Sequence, residues 1–314
     1  MARIAIVGAG FIGRAWAITY ARAGHEIRLW DTRPEAAQAA LGYIDALLPD
    51  LAANGLLDEP PATVRARMTP YGELAAALDG AAHVQESTFE DVATKRQIFA
   101  DLDRLAAPAT VLASSTSAIL PSLFTDHLAG RARCLVVHPI NPPYVIPAVE
   151  VVPAPWTDPE VVARTAAFLR AAGHAPIVMK RELDGFVMNR MQAALLAEAF
   201  RLVEDGYATI EDIDIGLREG LALRWSFMGP FETIDLNAPA GVRDYIARYA
   251  PFFRRLEADF ARSPAWSGAG LDAIEGARRD VLPADKLVER QAWRDRRLMA
   301  LAAHKRRAAR DIGA

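Results

Sequence analysis

A histidine and a glutamate twelve residues apart, His138 and Glu150, are the residues of this sequence best suited to moving protons. His138 closes the apolar run Cys134-Leu-Val-Val, and Glu150 sits inside Val149-Glu-Val-Val152. An imidazole takes up and gives back a proton near neutral pH, which is what the oxidation of an alcohol requires of a base. A carboxylate on its second ring nitrogen would fix the tautomer and stabilise the imidazolium. Spacing alone also permits a core histidine satisfied by a backbone carbonyl, with Glu150 paired at the surface.

A second constellation lies at the start of the chain. Gly8-Ala-Gly10-Phe11-Ile12-Gly13 follows the apolar run Arg3–Val7 and opens a helical pattern. Such glycines allow a tight turn, close approach of the backbone to a pyrophosphate, and close helix–strand packing. The N–H groups that begin the helix, around Gly10, Phe11, Ile12 and Gly13, offer a positive dipole end to the phosphates. The next β-like run ends at Asp31, 18 residues past Gly13. A carboxylate there takes the ribose hydroxyls and repels a 2′-phosphate. The expected cofactor is NAD; Arg33 is the one nearby feature that favours NADP.

Both constellations need a sheet to hold them. Short apolar and β-branched runs alternate with helical patterns through the first 180 residues, as in βαβ units. Strands are expected near Arg3–Val7, Glu26–Trp30, His83–Glu86, Thr110–Ala113, Arg133–Val137, Val149–Val152 and Ile177–Lys180, with helices over Pro34–Ala53 and Glu90–Ala106. The stretch Leu41–Arg67 is longer than a crossover needs and reads as a helical excursion. His138 then ends a strand where doubly wound sheets bind ligands. After Lys180 no further strand is expected. Gly185–Gly206 reads as one long helix, apolar on most sides, which should be buried all round against neighbours or a second subunit. The expected fold is α/β, a Rossmann-type doubly wound, mostly parallel sheet over residues 1–184. An all-helical substrate and dimerisation domain follows over 185–314, and a homodimer is expected.

Composition narrows the function classes. A net charge of −3 over 314 residues carries no basic field for nucleic acid or an anionic membrane. No stretch approaches the roughly 20 apolar residues of a membrane span, and the run before Gly8 is too short for a signal segment. A cytoplasmic protein is expected. The single cysteine, Cys134, excludes an intrachain disulfide and a cysteine-based zinc site, and reads as an inert buried thiol. No metal is expected. Arg290, Arg294 and Arg297, with Glu289 and Asp295 alongside, read as a solvated helix face.

Four motifs in order resemble the L-3-hydroxyacyl-CoA dehydrogenase superfamily: Thr116-Ser117 within Ser114-Ser-Thr-Ser117, His138-Pro-Ile-Asn141-Pro142, Val149-Glu150-Val151, and Gly185-Phe-Val-Met-Asn189-Arg190. The resemblance implies NAD-dependent oxidation of a secondary alcohol. His138 would be the acid/base and Glu150 its orienting partner. Ser117 and Asn189 would hydrogen-bond to the substrate oxygen, Asn141 would lie beside the substrate, and Ser117 would also touch the nicotinamide end. Phe89-Glu90-Asp91-Val-Ala-Thr-Lys95 resembles a cofactor stretch of the family, with Asp91 where Asn is usual, and implies Glu90 and Lys95 along the nicotinamide ribose. Read by itself, Lys95 could instead be an exposed helix residue paired with Asp91. Within the superfamily the chain is similar to the lambda-crystallin and L-gulonate 3-dehydrogenase branch. That likeness includes Gln85-Glu-Ser87, the tract Arg224–Asn237 and Gln291-Ala-Trp293-Arg-Asp295.

Two features bear on the substrate. Leu41–Asp58 contains no Lys or Arg and carries Asp45, Asp50 and Asp58, an unwelcoming surface for the phosphates of CoA. Arg224 precedes the Gly229-Pro230-Phe231 turn and could take a small carboxylate in a two-point contact; it could equally pair with Glu219 or Glu232. A free 3-hydroxy acid of the gulonate type is therefore expected. The alternative is the same chemistry on 3-hydroxybutyryl-CoA, and a remote one is a non-catalytic, crystallin-like NADH-binding protein.

Overall fold

The computed structural model describes residues 1–264 and 266–313. Eight strands form one sheet: β1 (Arg3–Val7), β2 (Glu26–Trp30), β3 (Met68–Pro70), β4 (His83–Glu86), β5 (Val111–Ser114), β6 (Cys134–Pro139), β7 (Ala148–Pro153) and β8 (Ala175–Val178). Their order is β3-β2-β1-β4-β5-β6-β7-β8. Each neighbouring pair is parallel except β6 and β7, which run antiparallel. The Rossmann-type sheet is thus present, with two departures from expectation. Strand β3 was not anticipated, because three residues ending in a proline carry almost no periodic signal and suit only a sheet edge. Strand β8 starts at Ala175 and ends at Val178, before Lys180.

Around the sheet and beyond it lie α1 (Phe11–Arg22), α2 (Pro34–Ala53), α3 (Pro61–Ala66), α4 (Leu74–Leu78), α5 (Val92–Leu105), α6 (Pro121–Thr125), α7 (Pro159–Ala171), α8 (Met188–Glu204), α9 (Ile210–Ile215), α10 (Ala222–Trp225), α11 (Pro230–Leu236), α12 (Gly241–Phe260), α13 (Ala269–Val281) and α14 (Leu287–Asp311). The excursion after β2 is helical, as α2 and α3. No described residue after Val178 is in a strand, and no helix among the described residues is long and apolar enough to cross a membrane.

Two compact units divide the chain. The first comprises Met1–Val187 together with Trp293–Arg306; the second runs from Met188 to Ala292 and takes up again at Arg307. In the first unit, apolar side chains fill both faces of the sheet. Ile4, Ile6, Trp16, Ile27 and Leu29 belong to one buried cluster, and Ala5, Val7, Val84, Phe99 and Phe124 to the other. The alternation of Ile4 and Ile6 with Ala5 and Val7 follows the two-residue period of a strand.

The stretch Trp293–Arg306 of α14 closes this unit. Met299 is wholly buried in the first cluster, Arg296 pairs with Asp50 at 3.0 Å, and Arg306 pairs with Asp58 at 3.2 Å. The expectation of a solvated face here fails at Asp295, which is buried and accepts a hydrogen bond from the Tyr144 hydroxyl at 3.2 Å. A carboxylate among arginines looked solvent-facing only because its partner lies 151 residues earlier in the chain.

In the second unit a capping box at Thr209 and Asp212 starts α9, and Arg201 on α8 donates to the Arg262 carbonyl at 2.6 Å. Helix α8 begins at Met188 instead of Gly185, because Gly185 and Phe186 take positive φ angles of 74° and 50°. Its apolar side chains are not covered by the chain: Met191 is 58% and Leu196 43% exposed. The expected all-round burial is not reached within one copy.

Two buried histidines give this fold an acid limit. His83 Nε2 on β4 lies 3.1 Å from the side-chain Oε1 of Gln85, and His174, just before β8, donates to the Pro147 carbonyl at 2.9 Å. Burial chiefly pushes both down from 6.5 to about 4. Between those values the unfolded chain binds protons that the folded chain does not, so stability is full above pH 6.5 and falls as pH drops toward 4. The urea midpoint is expected to be flat from pH 7 to 8 and to decline from pH 6.5 to 4.5. The decline should be shallower in His174→Gln; an equal slope in that variant would remove His174 from this account.

Candidate active site

The carboxyl ends of β1, β2, β4 and β5 are stitched together just beyond the sheet. Gly8 N–H donates to the Trp30 carbonyl at 2.8 Å, Ser87 to Val7 at 2.7 Å, and Ser115 to Glu86 at 2.8 Å. Gly8 has φ of 95°, and a Cβ on it would meet the Ser87 carbonyl oxygen at 2.6 Å. A Cβ on Gly13 would lie 1.8 Å from the Gly8 carbonyl oxygen, so only glycine lets α1 start this close to the turn. Above Gly10, by contrast, a Cβ would meet nothing within 4 Å. That open backbone, at the N-terminus of α1 with Phe11 and Ile12 in its first turn, fits a pyrophosphate. Asp31 Oδ2 accepts the Ala9 N–H at 2.8 Å and Oδ1 accepts the Arg33 N–H at 3.0 Å. The carboxylate is thereby held at the end of β2, beside the glycine turn. Arg33 reaches it only at 3.8 Å with a largely exposed side chain.

Strand register builds the proton-handling pair. His138 on β6 stands directly opposite Glu150 on antiparallel β7, and His138 Nδ1 lies 2.7 Å from Glu150 Oε2. Both side chains are buried. Glu150 Oε1 accepts the Val187 N–H at 2.6 Å. With Nδ1 engaged, Nε2 is the imidazole nitrogen left for a substrate. Phe186, which sequence reading passed over, belongs to the same construction. Its left-handed backbone is uncommon for a bulky residue and costs on the order of 1–3 kcal/mol. In return it packs the wholly buried ring 5.5 Å from the imidazole and turns the next N–H onto Glu150. Its signal in the sequence was its place after Gly185 in the Gly185-Phe-Val-Met-Asn189-Arg190 motif.

A second buried carboxylate was also missed. Glu86, the last residue of β4, is fully buried and takes Lys95 Nζ on both oxygens, at 3.0 and 3.1 Å. It also accepts from Ser114 Oγ at 2.5 Å and from the Thr88 N–H at 2.6 Å. Lys95 is 1% exposed and does not pair with Asp91, which instead caps α5 through the Thr94 N–H. Lys95 lies 3.8 Å from Glu90, whose Oε1 receives the Thr116 hydroxyl and the Ser117 N–H at 2.6 and 2.7 Å. A chain of charge and hydrogen bonds therefore runs from Glu86 through Lys95 and Glu90 to the loop that carries Ser117. A glutamate ending the short strand His83–Glu86, just before the loop at 87–90, was the available hint.

The remaining expected residues are placed as follows. Ser117 is exposed, just past β5; Asn141 is exposed at the start of the β6–β7 connection. Asn189 is half-buried in the first turn of α8, and Arg224 is half-buried on α10. Among the described residues Arg224 forms no ion pair, and Glu219 pairs instead with Arg218 at 2.6 Å. Cys134 is buried, with its thiol pushed up to about 12 mainly by that burial, and is inert at neutral pH.

The family model for the NAD-binding domain of 3-hydroxyacyl-CoA dehydrogenase matches residues 3–182, and that for its C-terminal domain matches residues 185–266. The chain belongs to the 3-hydroxyacyl-CoA dehydrogenase family. A lambda-crystallin homolog of Bos taurus is 41% identical over 303 residues, covering 95% of this chain and 94% of the relative. An L-carnitine dehydrogenase of Streptomyces griseus is 36% identical over 299 residues, covering 94% and 87%. Among solved structures, an NAD-dependent 5-formyl-3-hydroxy-2-methylpyridine 4-carboxylic acid 5-dehydrogenase superposes with a TM-score of 0.80 at 26% identity, covering 98% of each chain. The protein is accordingly an NAD-dependent dehydrogenase acting on CH–OH groups.

Three outcomes follow for this site. The kcat/KM with NAD should exceed that with NADP by about tenfold or more, and Asp31→Ser should narrow the ratio. Equal efficiencies in the unaltered enzyme would remove Asp31 from its role. His138→Gln should lose on the order of 10²–10⁴ in kcat while NADH affinity hardly changes. In Glu150→Gln the acid limb of the kcat/KM profile should move to lower pH, because the carboxylate no longer stabilises the protonated imidazole. A limb that stays in place would separate the two side chains functionally.

Proposed function

We propose that this dehydrogenase oxidises the 3-hydroxyl of a small free hydroxy acid, of the L-gulonate type, to the 3-keto acid. In this reading His138 Nε2 accepts the hydroxyl proton and Glu150 holds Nδ1 and stabilises the resulting imidazolium. NAD supplies the hydride acceptor. Asn189 and the Ser117 hydroxyl orient the reacting oxygen, Asn141 lines the substrate, and Glu90 and Lys95 fix the loop over which the cofactor's nicotinamide ribose lies. A neutral histidine is the reactive form, so activity should fall on the acid side.

One observation carries the preference for a free acid: the acidic excursion after β2 is already occupied. Asp45 pairs with Arg65 at 2.9 Å, and Asp50 and Asp58 pair with Arg296 and Arg306 of α14. The acids of the excursion are engaged by the chain's own arginines, and Leu41–Asp58 itself carries no Lys or Arg to offer a phosphate-rich handle. The relation to an L-carnitine dehydrogenase supports the same reading, since carnitine is itself a free 3-hydroxy acid. Arg224, without an ion pair among the described residues, is the proposed carboxylate anchor. The second reading, a 3-hydroxyacyl-CoA substrate, is supported by the family models and by the likeness to solved 3-hydroxyacyl-CoA dehydrogenases. We further propose that two copies associate through the uncovered apolar side chains of α8.

The comparison that decides uses L-gulonate and 3-hydroxybutyryl-CoA with unaltered enzyme and with Arg224→Met. For the free acid, Arg224→Met should cost roughly 2–4 kcal/mol in kcat/KM, as expected for losing a charged hydrogen-bonding partner in a desolvated site. Arg224→Lys should raise KM less, and NAD binding should survive both. A better rate with the thioester, together with an unimpaired Arg224→Met, would overturn the free-acid reading.

A further inference from the structure

We propose that the first unit carries a second binding site, for an amphipathic carboxylate, in a cavity that the dehydrogenase chemistry does not use. The cavity holds about 630 Å³ and is bounded by the end of α1, the Leu56–Asp58 turn, the Tyr144–Pro147 segment, the end of α7 and α14. That volume lies in the range of small-molecule sites. Its lining has two characters. Val145, Ile146, Leu298, Leu301 and Ala302 supply an apolar surface, while Arg22, Lys305 and Arg306 gather three cations around one carboxylate, Asp58.

The carboxylate is already engaged: Arg306 donates to it and to the Gly55 carbonyl at 3.0 Å. Arg22 feels the Asp58 charge but makes no hydrogen bond to it. Its Nη1 donates to the Tyr144 carbonyl at 2.6 Å, and among the described residues no acceptor takes its other N–H groups. Burial, and then repulsion from Arg306, pull this guanidinium down to about 10, so it remains charged at neutral pH. Arg306 lowers Arg22 more than Asp58 restores it, so the positive charge is left in excess and an anion placed against the two guanidiniums gains from both. The neighbouring leucines, valine and isoleucine favour an anion with a hydrocarbon body over a small, strongly hydrated one. A carboxylate with a chain of roughly 6–10 carbons satisfies both halves of the lining.

Isothermal titration of the NADH-saturated enzyme with octanoate tests this. Octanoate should bind, with affinity rising about fourfold per methylene from hexanoate to decanoate. Both 1-octanol and inorganic phosphate should bind at least about tenfold more weakly. Arg22→Met should weaken octanoate by about tenfold, with KM for NAD and for the hydroxy acid unchanged. Should Arg22→Met fail to fold, the exposed Lys305→Glu carries the test, with a loss in the same direction. Affinity untouched in both variants overturns the proposal. So does affinity lost only in Arg224→Met, which would assign the anion to the second unit's arginine, or phosphate binding as tightly as octanoate.

Discussion

The carboxylate of Glu150 is the constraint from which much of the first unit follows. An ionised carboxylate without access to water costs several kcal/mol unless its oxygens are paired. Here one oxygen meets His138 Nδ1 and the other the Val187 N–H. The first partner is supplied by ladder register between β6 and β7, which is as rigid as a protein offers. The second comes from a turn that only a left-handed Phe186 can make. Loosening either would leave a buried charge short of a partner, so catalytic geometry and stability are coupled through one side chain.

Glu86 repeats the device on the cofactor side. Its charge is met by Lys95 and by the Ser114 and Thr88 donors, and the lysine hands the order on to Glu90 and the Ser117 loop. Polar groups fixed before a ligand arrives need little rearrangement during reaction, which is where electrostatic catalysis gains most. Glu86 ends β4 and Glu150 lies within β7, so backbone hydrogen bonds of the sheet do the positioning in both cases.

What could be read from the sequence was whatever is local. Gly8, Gly10, Gly13 and Asp31 carry their meaning in spacing, and α2 was legible to the residue because its periodicity and flanking signals lie within one stretch. From spacing the His138–Glu150 pairing was legible only as an alternative, since no pattern in the residues says that β7 reverses direction and brings position 150 across from 138; the motif resemblance is what favoured it. For Lys95 it was the alternative that failed: an i, i+4 acid was at hand in Asp91, while the acid it meets, Glu86, precedes the helix altogether. Asp295 and Met299 were unreadable in principle, because their neighbours Tyr144 and α2 are remote in sequence.

That last remoteness sets a timetable for biosynthesis. The NAD-binding unit is not contiguous: Met299, sealed in its core, emerges from the ribosome only after the whole stretch Met188–Ala292 has been made. At translation speeds of roughly 5–20 residues per second, the nascent sheet waits on the order of 5–20 s with one side of its core uncovered. During that interval the excursion after β2 presents Asp50 and Asp58 without Arg296 and Arg306, and the apolar surface beneath them is open to water or to a chaperone. The dinucleotide-binding unit is begun first and completed only after nearly the whole chain has been made.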